Sequence, residues 1–124
     1  MENEKVLLIS VNVMKTQQIA GVCDKLGISL QSVPEGDKQY TLGYLAKIPG
    51  IAKYPKKKEM PSFSNPEIMI FSGLSSQRLD LFLKEMKTAS IATIRLKAVI
   101  TPFNIIWSVH RLQKELMEHA EENG

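Results

Sequence analysis

The amino-acid sequence predicts a small doubly wound α/β domain: a parallel four-stranded sheet in the order 2-1-3-4, with helices on both faces. Three observations lead there. Short apolar runs of strand length alternate with segments of helical periodicity. The alternation occurs twice, as a β-α-β-loop-α unit at about residues 5–48 and again at about 67–122, joined by a Pro- and Lys-rich linker at about 49–66. Strands joined through helices pair in parallel with right-handed crossovers, and placing the first strands of the two units side by side gives the order 2-1-3-4. The whole of residues 1–124 then forms one domain, a size that buries roughly two thirds of the unfolded surface.

The elements follow in order. Val6-Leu7-Leu8-Ile9-Ser10-Val11 is apolar on both faces, as expected of a strand covered on both sides. Ile19, Val22, Cys23 and Leu26 recur at i, i+3, i+4 and i+7 and mark a helix that stops at Gly27, a residue suited to the left-handed conformation past a helix end. Ile28 to Val33 makes the second strand. Pro34-Glu35-Gly36-Asp37 supplies turn chemistry, and Thr41 to Ala46 forms a short helix ended by Pro49-Gly50. After the linker come a strand at 68–72, a helix at 76–87, a strand at 94–100 and a final helix at 109–121. In the fourth strand Arg95 and Lys97 alternate with Leu96 and Ala98, as in an outer strand whose charges discourage edge-to-edge pairing.

The two units also align by position. Ile19, Val22, Cys23 and Leu26 match Leu79, Phe82, Leu83 and Met86 at an offset of 60, and Tyr40-Thr41-Leu42 with Leu45 match Trp107-Ser108-Val109 with Leu112 at an offset of 67. In the second match an aromatic residue precedes a Thr or Ser N-cap and a Leu follows at the fourth helical position, the arrangement of a hydrophobic staple. Trp107 and Ser108 therefore have structural work. The pattern implies internal duplication.

Composition narrows the function. The net charge is a mild +3, and the one basic cluster is Lys53 with Lys56, Lys57 and Lys58 in the linker. This is a possible polyanion contact, but a single short patch argues against nucleic acid as the main partner. No apolar run reaches the ~20 residues needed to cross a bilayer, and Met-Glu-Asn-Glu-Lys lacks a signal-peptide pattern, so the expectation is a cytoplasmic protein without membrane contact. Cys23 is the only cysteine and falls on a buried helix face, which makes it core filler and excludes a disulfide or Cys-based zinc cluster within the chain. His110 and His119 lie about 13 Å apart along one helix, too far for shared chelation. No GxGxxG or GxxxxGK[ST] phosphate loop is present, and no cofactor or metal is expected. Asp24, Asp80 and Glu85 fall on outer helix faces, so no carboxylates converge for acid–base work.

Ligands of open parallel sheets bind beyond the carboxyl ends of the strands where chain order reverses. That rule selects Ser10, Asn12, Ser72, Gly73, Ser75, Thr101 and Asn104 as candidate ligand-binding residues, with Glu35 and Asp37 at the side. Ser72-Gly73-Leu74-Ser75-Ser76 also precedes a helix, where backbone N–H groups can hold an anion or simply be capped.

The second half resembles a family of short uncharacterised bacterial proteins that carry a domain of unknown function. The resemblance rests on Pro66 to Ser75, on Arg78-Leu79-Asp80, and on Lys97-Ala98-Val99-Ile100-Thr101-Pro102 followed by Asn104 and Trp107-Ser108. It implies the fold and a bacterial cytoplasmic setting, and brings no catalytic residues. The resulting expectation is a non-catalytic binding or regulatory module that recognises a partner protein or small ligand at the carboxyl edge of its sheet. A homodimer through the Val109, Leu112, Leu116 and Ala120 stripe is conceivable. The alternatives are a small enzyme or anion binder at the switch point and a weak nucleic-acid binder acting through the linker lysines.

Overall fold

A computed structural model describes residues 3–62 and 64–123, with the side chains of the last three outside that description. In chain order the elements are β1 (Lys5–Ile9), α1 (Val13–Leu26), β2 (Ser29–Val33), a 3-10 turn (Glu35–Asp37), α2 (Leu42–Leu45), β3 (Ile68–Ser72), α3 (Ser76–Thr88), β4 (Leu96–Val99) and α4 (Val109–Asn123). The four strands form one sheet in the order β2-β1-β3-β4, as the sequence predicts.

The direction of the central pair differs from the expectation. β1 runs parallel to β2, and β3 parallel to β4, but β1 and β3 are antiparallel, with Lys5 opposite Ser72 and Ile9 opposite Ile68. The sheet is therefore mixed. Two right-handed β-α-β units joined in this way place their first helices on the same face, whereas an all-parallel sheet would put them on opposite faces. α1 and α3 accordingly share one core, with Val6, Leu8, Met69 and Phe71 packed against Ile19, Val22, Cys23, Phe82 and Met86. Lys25 and Glu85 pair across the two helices at 2.8 Å. Leu7, Ile9, Ile68 and Ile70 face the other way, onto Leu42, Leu45, Val109 and Leu112 of α2 and α4.

The linker accounts for the direction of β3. Thr41 donates from its N–H to the Lys53 carbonyl at 2.9 Å and from its hydroxyl to the Ala52 carbonyl at 2.6 Å, which ties the linker back to the start of α2. Further on, the Ser64 carbonyl accepts from the Gln113 amide and Glu67 pairs with Lys15 just after β1. The chain thus enters β3 from the edge at which β1 ends.

The caps follow local rules. Asn12 and Ser75 accept from the N–H groups of Lys15 and Arg78, and Thr41 and Ser108 from those of Tyr44 and Arg111. Asn12 and Ser75 lie 63 positions apart, as do the first residues of β1 and β3, so the first helices align at 63 rather than at the offset of 60 read from their apolar pattern. A helix matches itself nearly as well when shifted by one turn, and the caps remove that ambiguity. The offset of 67 agrees with the caps: Thr41 and Ser108 form a bridge to each other. Tyr40 and Trp107 both pack on the cluster holding Leu45 and Leu112, as staples do. The stripe of α4 is spent on the sheet, with Val109 and Leu112 buried and Leu116 and Ala120 partly covered. Among the described residues no helix is long and apolar enough to cross a membrane.

Candidate functional site

The reversal of β3 separates the residues grouped by the switch-point rule. Ser10 and Asn12 lie beyond β1 at one edge of the sheet, whereas Ser72, Gly73 and Ser75 follow β3 at the opposite edge, roughly 16 Å away along the strands. No single site unites them. Thr101 and Asn104 follow β4 and lie on the Ser72 side, since the Ile100 N–H donates to the Phe71 carbonyl.

Most of these polar groups are occupied locally. The Asn104 side-chain oxygen accepts from the Thr101 N–H at 2.8 Å while its side-chain amide donates to the Val99 carbonyl, and the Thr101 hydroxyl accepts from the N–H groups of Phe103 and Asn104. Asn12 and Ser75 are caps. Gly73 has φ +81°, and a Cβ placed there would lie 2.5 Å from the Asn3 carbonyl oxygen, so the glycine makes room for the chain entering β1.

The opposite edge carries more. Beyond β2, the 3-10 turn, the linker and the first turn of α4 enclose a cleft of about 550 Å³. Tyr54, Pro55 and Pro61 supply its apolar walls, and Glu35, Gln39, Lys58 and His110 supply polar groups. Beside the cleft lies Lys38, a lysine only 1% exposed. Its ammonium donates to the Gln113 side-chain oxygen at 2.7 Å and stands 3.4 Å from a Glu35 carboxylate oxygen. Gln113 donates in turn to the Ser64 carbonyl, the Asn65 amide reaches Glu35 at 2.9 Å, and the Ser10 hydroxyl approaches the other Glu35 oxygen at 3.5 Å. A buried lysine requires such partners, because burying the charge alone is far more costly.

Lys38 and Gln113 were missed by sequence reasoning. One signal was present: at the offset of 67, Lys38 corresponds to Ile105, a partly buried apolar residue, which marks position 38 as inward-facing. Of the residues the sequence selects, Ser10 and the flanking Glu35 join this network. His110 borders the cleft, and its N–H donates to the Lys38 carbonyl at 3.2 Å. Partial burial, and then the Lys38 charge, hold its imidazole below the usual histidine range, with Glu35 opposing. At neutral pH the ring is neutral and offers one donor and one acceptor.

The linker lysines divide into two groups. Lys56 and Lys57 are exposed, and Lys58 borders the cleft. Lys53 instead stands over three tyrosine rings, with its ammonium 4.6 Å from the centroid of Tyr40, 5.6 Å from Tyr44 and 5.8 Å from Tyr54. Tyr40, and next Tyr44, hold it above the usual lysine range.

Cys23 is buried, and desolvation pushes its thiol up to about 12, so the thiolate is not available near neutrality. His119 lies 4.0 Å from Glu115 on its own helix. Among the described residues no group of His, Cys, Asp and Glu has the placement to hold a metal ion.

A family model described as a domain of unknown function, DUF3783, matches residues 67–122. The match spans β3 to α4, so Gln113, Ser108 and His110 fall within it, while Glu35, Lys38 and the three tyrosines fall outside. No curated protein and no solved structure matches the chain. What the comparison establishes is that the second half of this protein is similar to an uncharacterised domain family.

Proposed function

We propose that this protein is a non-catalytic binding module, cytoplasmic and built from two copies of one unit, which holds a small ligand in the cleft between the linker and α4. The observation that carries the reading is the cleft itself, at the carboxyl edge of β2. Its volume of about 550 Å³ lies in the range of small-molecule sites, and it combines apolar walls with a few polar groups. Tyr54 with Pro55 and Pro61 suits a flat ring, while Glu35 accepts, Lys58 donates and neutral His110 does either. The ligand class is therefore a planar, hydrogen-bonding molecule about the size of a nucleoside or an aromatic amino acid. The Glu35 carboxylate is tied to Lys38 and Asn65, an arrangement that favours holding over proton transfer.

The test is thermal unfolding against nucleosides, aromatic amino acids, phosphosugars and simple anions. A shift that grows with concentration and is lost in His110→Ala supports the cleft. A shift that survives this change but is lost in Ser75→Ala moves the site to the opposite edge, and no shift with any compound rejects the small-ligand reading.

A further inference from the structure

Tyr40, Tyr44 and Tyr54 converge from two segments onto one point. Tyr40 and Tyr44 stand on either side of the Thr41 cap, and the linker brings in Tyr54 because Thr41 binds the carbonyls of Ala52 and Lys53. The rings of Tyr44 and Tyr54 are inclined at 74° and 76° to that of Tyr40, with centroids 5.6 and 5.4 Å away. Walls set edge-to-face around a single cation are the geometry in which quaternary ammonium groups are recognised. Here the cation is the Lys53 ammonium, 4.6 to 5.8 Å from all three centroids.

We propose that these three tyrosines form a binding site for an N-methylated ammonium group, in which Lys53 sits as an internal guest. Three features support the assignment, and none depends on the cleft reading. The hydrogen bonds that fasten the linker to Thr41 use the Ala52 and Lys53 carbonyls, so the cage stays assembled when the Lys53 ammonium leaves and gives up its side-chain hydrogen bond to Tyr40. Lys53 is exposed and can turn into solvent. A primary ammonium is strongly hydrated, whereas a methylated one surrenders little water on entering an aromatic cage, so an external ligand of this class displaces it.

The second half offers a contrast. At the offset of 67, Trp107 replaces Tyr40 and Arg111 replaces Tyr44, and the Arg111 guanidinium covers the Trp107 ring at 4.2 Å. There the aromatic residue is paired with the first turn of the helix it precedes. In the first half Tyr44, at the arginine's position, becomes a second wall.

The experiment titrates choline, and separately its neutral carbon isostere, into the full chain, with the tyrosine ring resonances followed by NMR. Wild type, Lys53→Ala and the double variant Lys53→Ala/Tyr44→Leu are compared, and circular dichroism checks that each is folded. Emptying the cage by Lys53→Ala should tighten choline binding by roughly threefold or more, the scale of one exposed cation–π contact. Adding Tyr44→Leu should abolish the gain, and the isostere should not bind. Equal choline affinity in wild type and Lys53→Ala, or equal binding of the isostere, would overturn the proposal.

Discussion

Two glycines at nearly the same backbone angle allow one contact to be weighed. Gly27 caps α1 at φ +73° and Gly73 follows β3 at φ +81°, so replacement by alanine forces the left-handed conformation on both, at about 1–2 kcal/mol each. Their surroundings differ. A Cβ on Gly27 meets nothing within 4 Å, whereas one on Gly73 lies 2.5 Å from the Asn3 oxygen and 3.2 Å from its carbonyl carbon. That neighbour cannot easily retreat. Arg78 holds the Glu4 carboxylate through two hydrogen bonds of 2.9 and 2.7 Å, and the Glu4 carbonyl accepts from the Ser29 N–H at 3.0 Å. Relieving the clash means moving backbone that starts β1, an overpacking cost of about 1–3 kcal/mol. The entropy that alanine removes from the unfolded chain is the same at both sites and cancels in the comparison. Urea unfolding of Gly27→Ala and Gly73→Ala should therefore show Gly73→Ala less stable by about 1–3 kcal/mol, at unchanged m. Equal losses would refute the reasoning. They would mean that Gly73 does not make room for the N-terminal segment, and its place in an anion-holding loop would be open again.

Two further outcomes follow from the polar network. Lys38→Met keeps the methylene packing but leaves the Gln113 side-chain oxygen without its donor, and should cost about 1–3 kcal/mol by chemical denaturation; adding Gln113→Leu should recover much of that loss, and a single variant as stable as wild type would contradict the network. For His110 the folded state disfavours the proton, so the unfolded chain binds more of it as pH falls below the ordinary value of 6.5. Stability should then be fully present above that pH and decline as pH drops through the lowered folded value, and His110→Gln should flatten this slope. The Glu4–Arg78 pair acts in a lower window, below the ordinary carboxylate value of 4.5, where its depressed carboxyl is lost as an ion. The two effects are therefore separable in one pH series.

The order of the strands within each half and the buried stripe of each helix were legible because they depend on local periodicity and on the right-handed crossover, which act within each half. The caps at Thr41 and Ser108 were legible for the same reason. The direction of β3 was not. Its residues Ile68 to Phe71 are buried on both faces, so the strand reads the same whichever way it runs. Direction was decided by where the linker fastens, through backbone carbonyls at Ala52, Lys53 and Ser64 that any side chain would provide.

That one reversal relocates the candidate site. In an all-parallel sheet every strand would deliver its polar end to the same rim, and Ser10, Asn12, Ser72 and Thr101 would converge there. With β1 and β3 opposed, each rim receives only half of them. The Thr101–Asn104 loop closes on itself through reciprocal hydrogen bonds and leaves Phe103 84% exposed at its tip. The rim beyond β2 differs because the linker returns over it, adding Tyr54 to Ser62 as a wall and burying Lys38 between Glu35 and Gln113. Both halves reach this cleft, the first through Glu35, Gly36 and Gln39 and the second through Ser108 and His110, and the linker, which has no counterpart within either half, adds the wall between Tyr54 and Ser62.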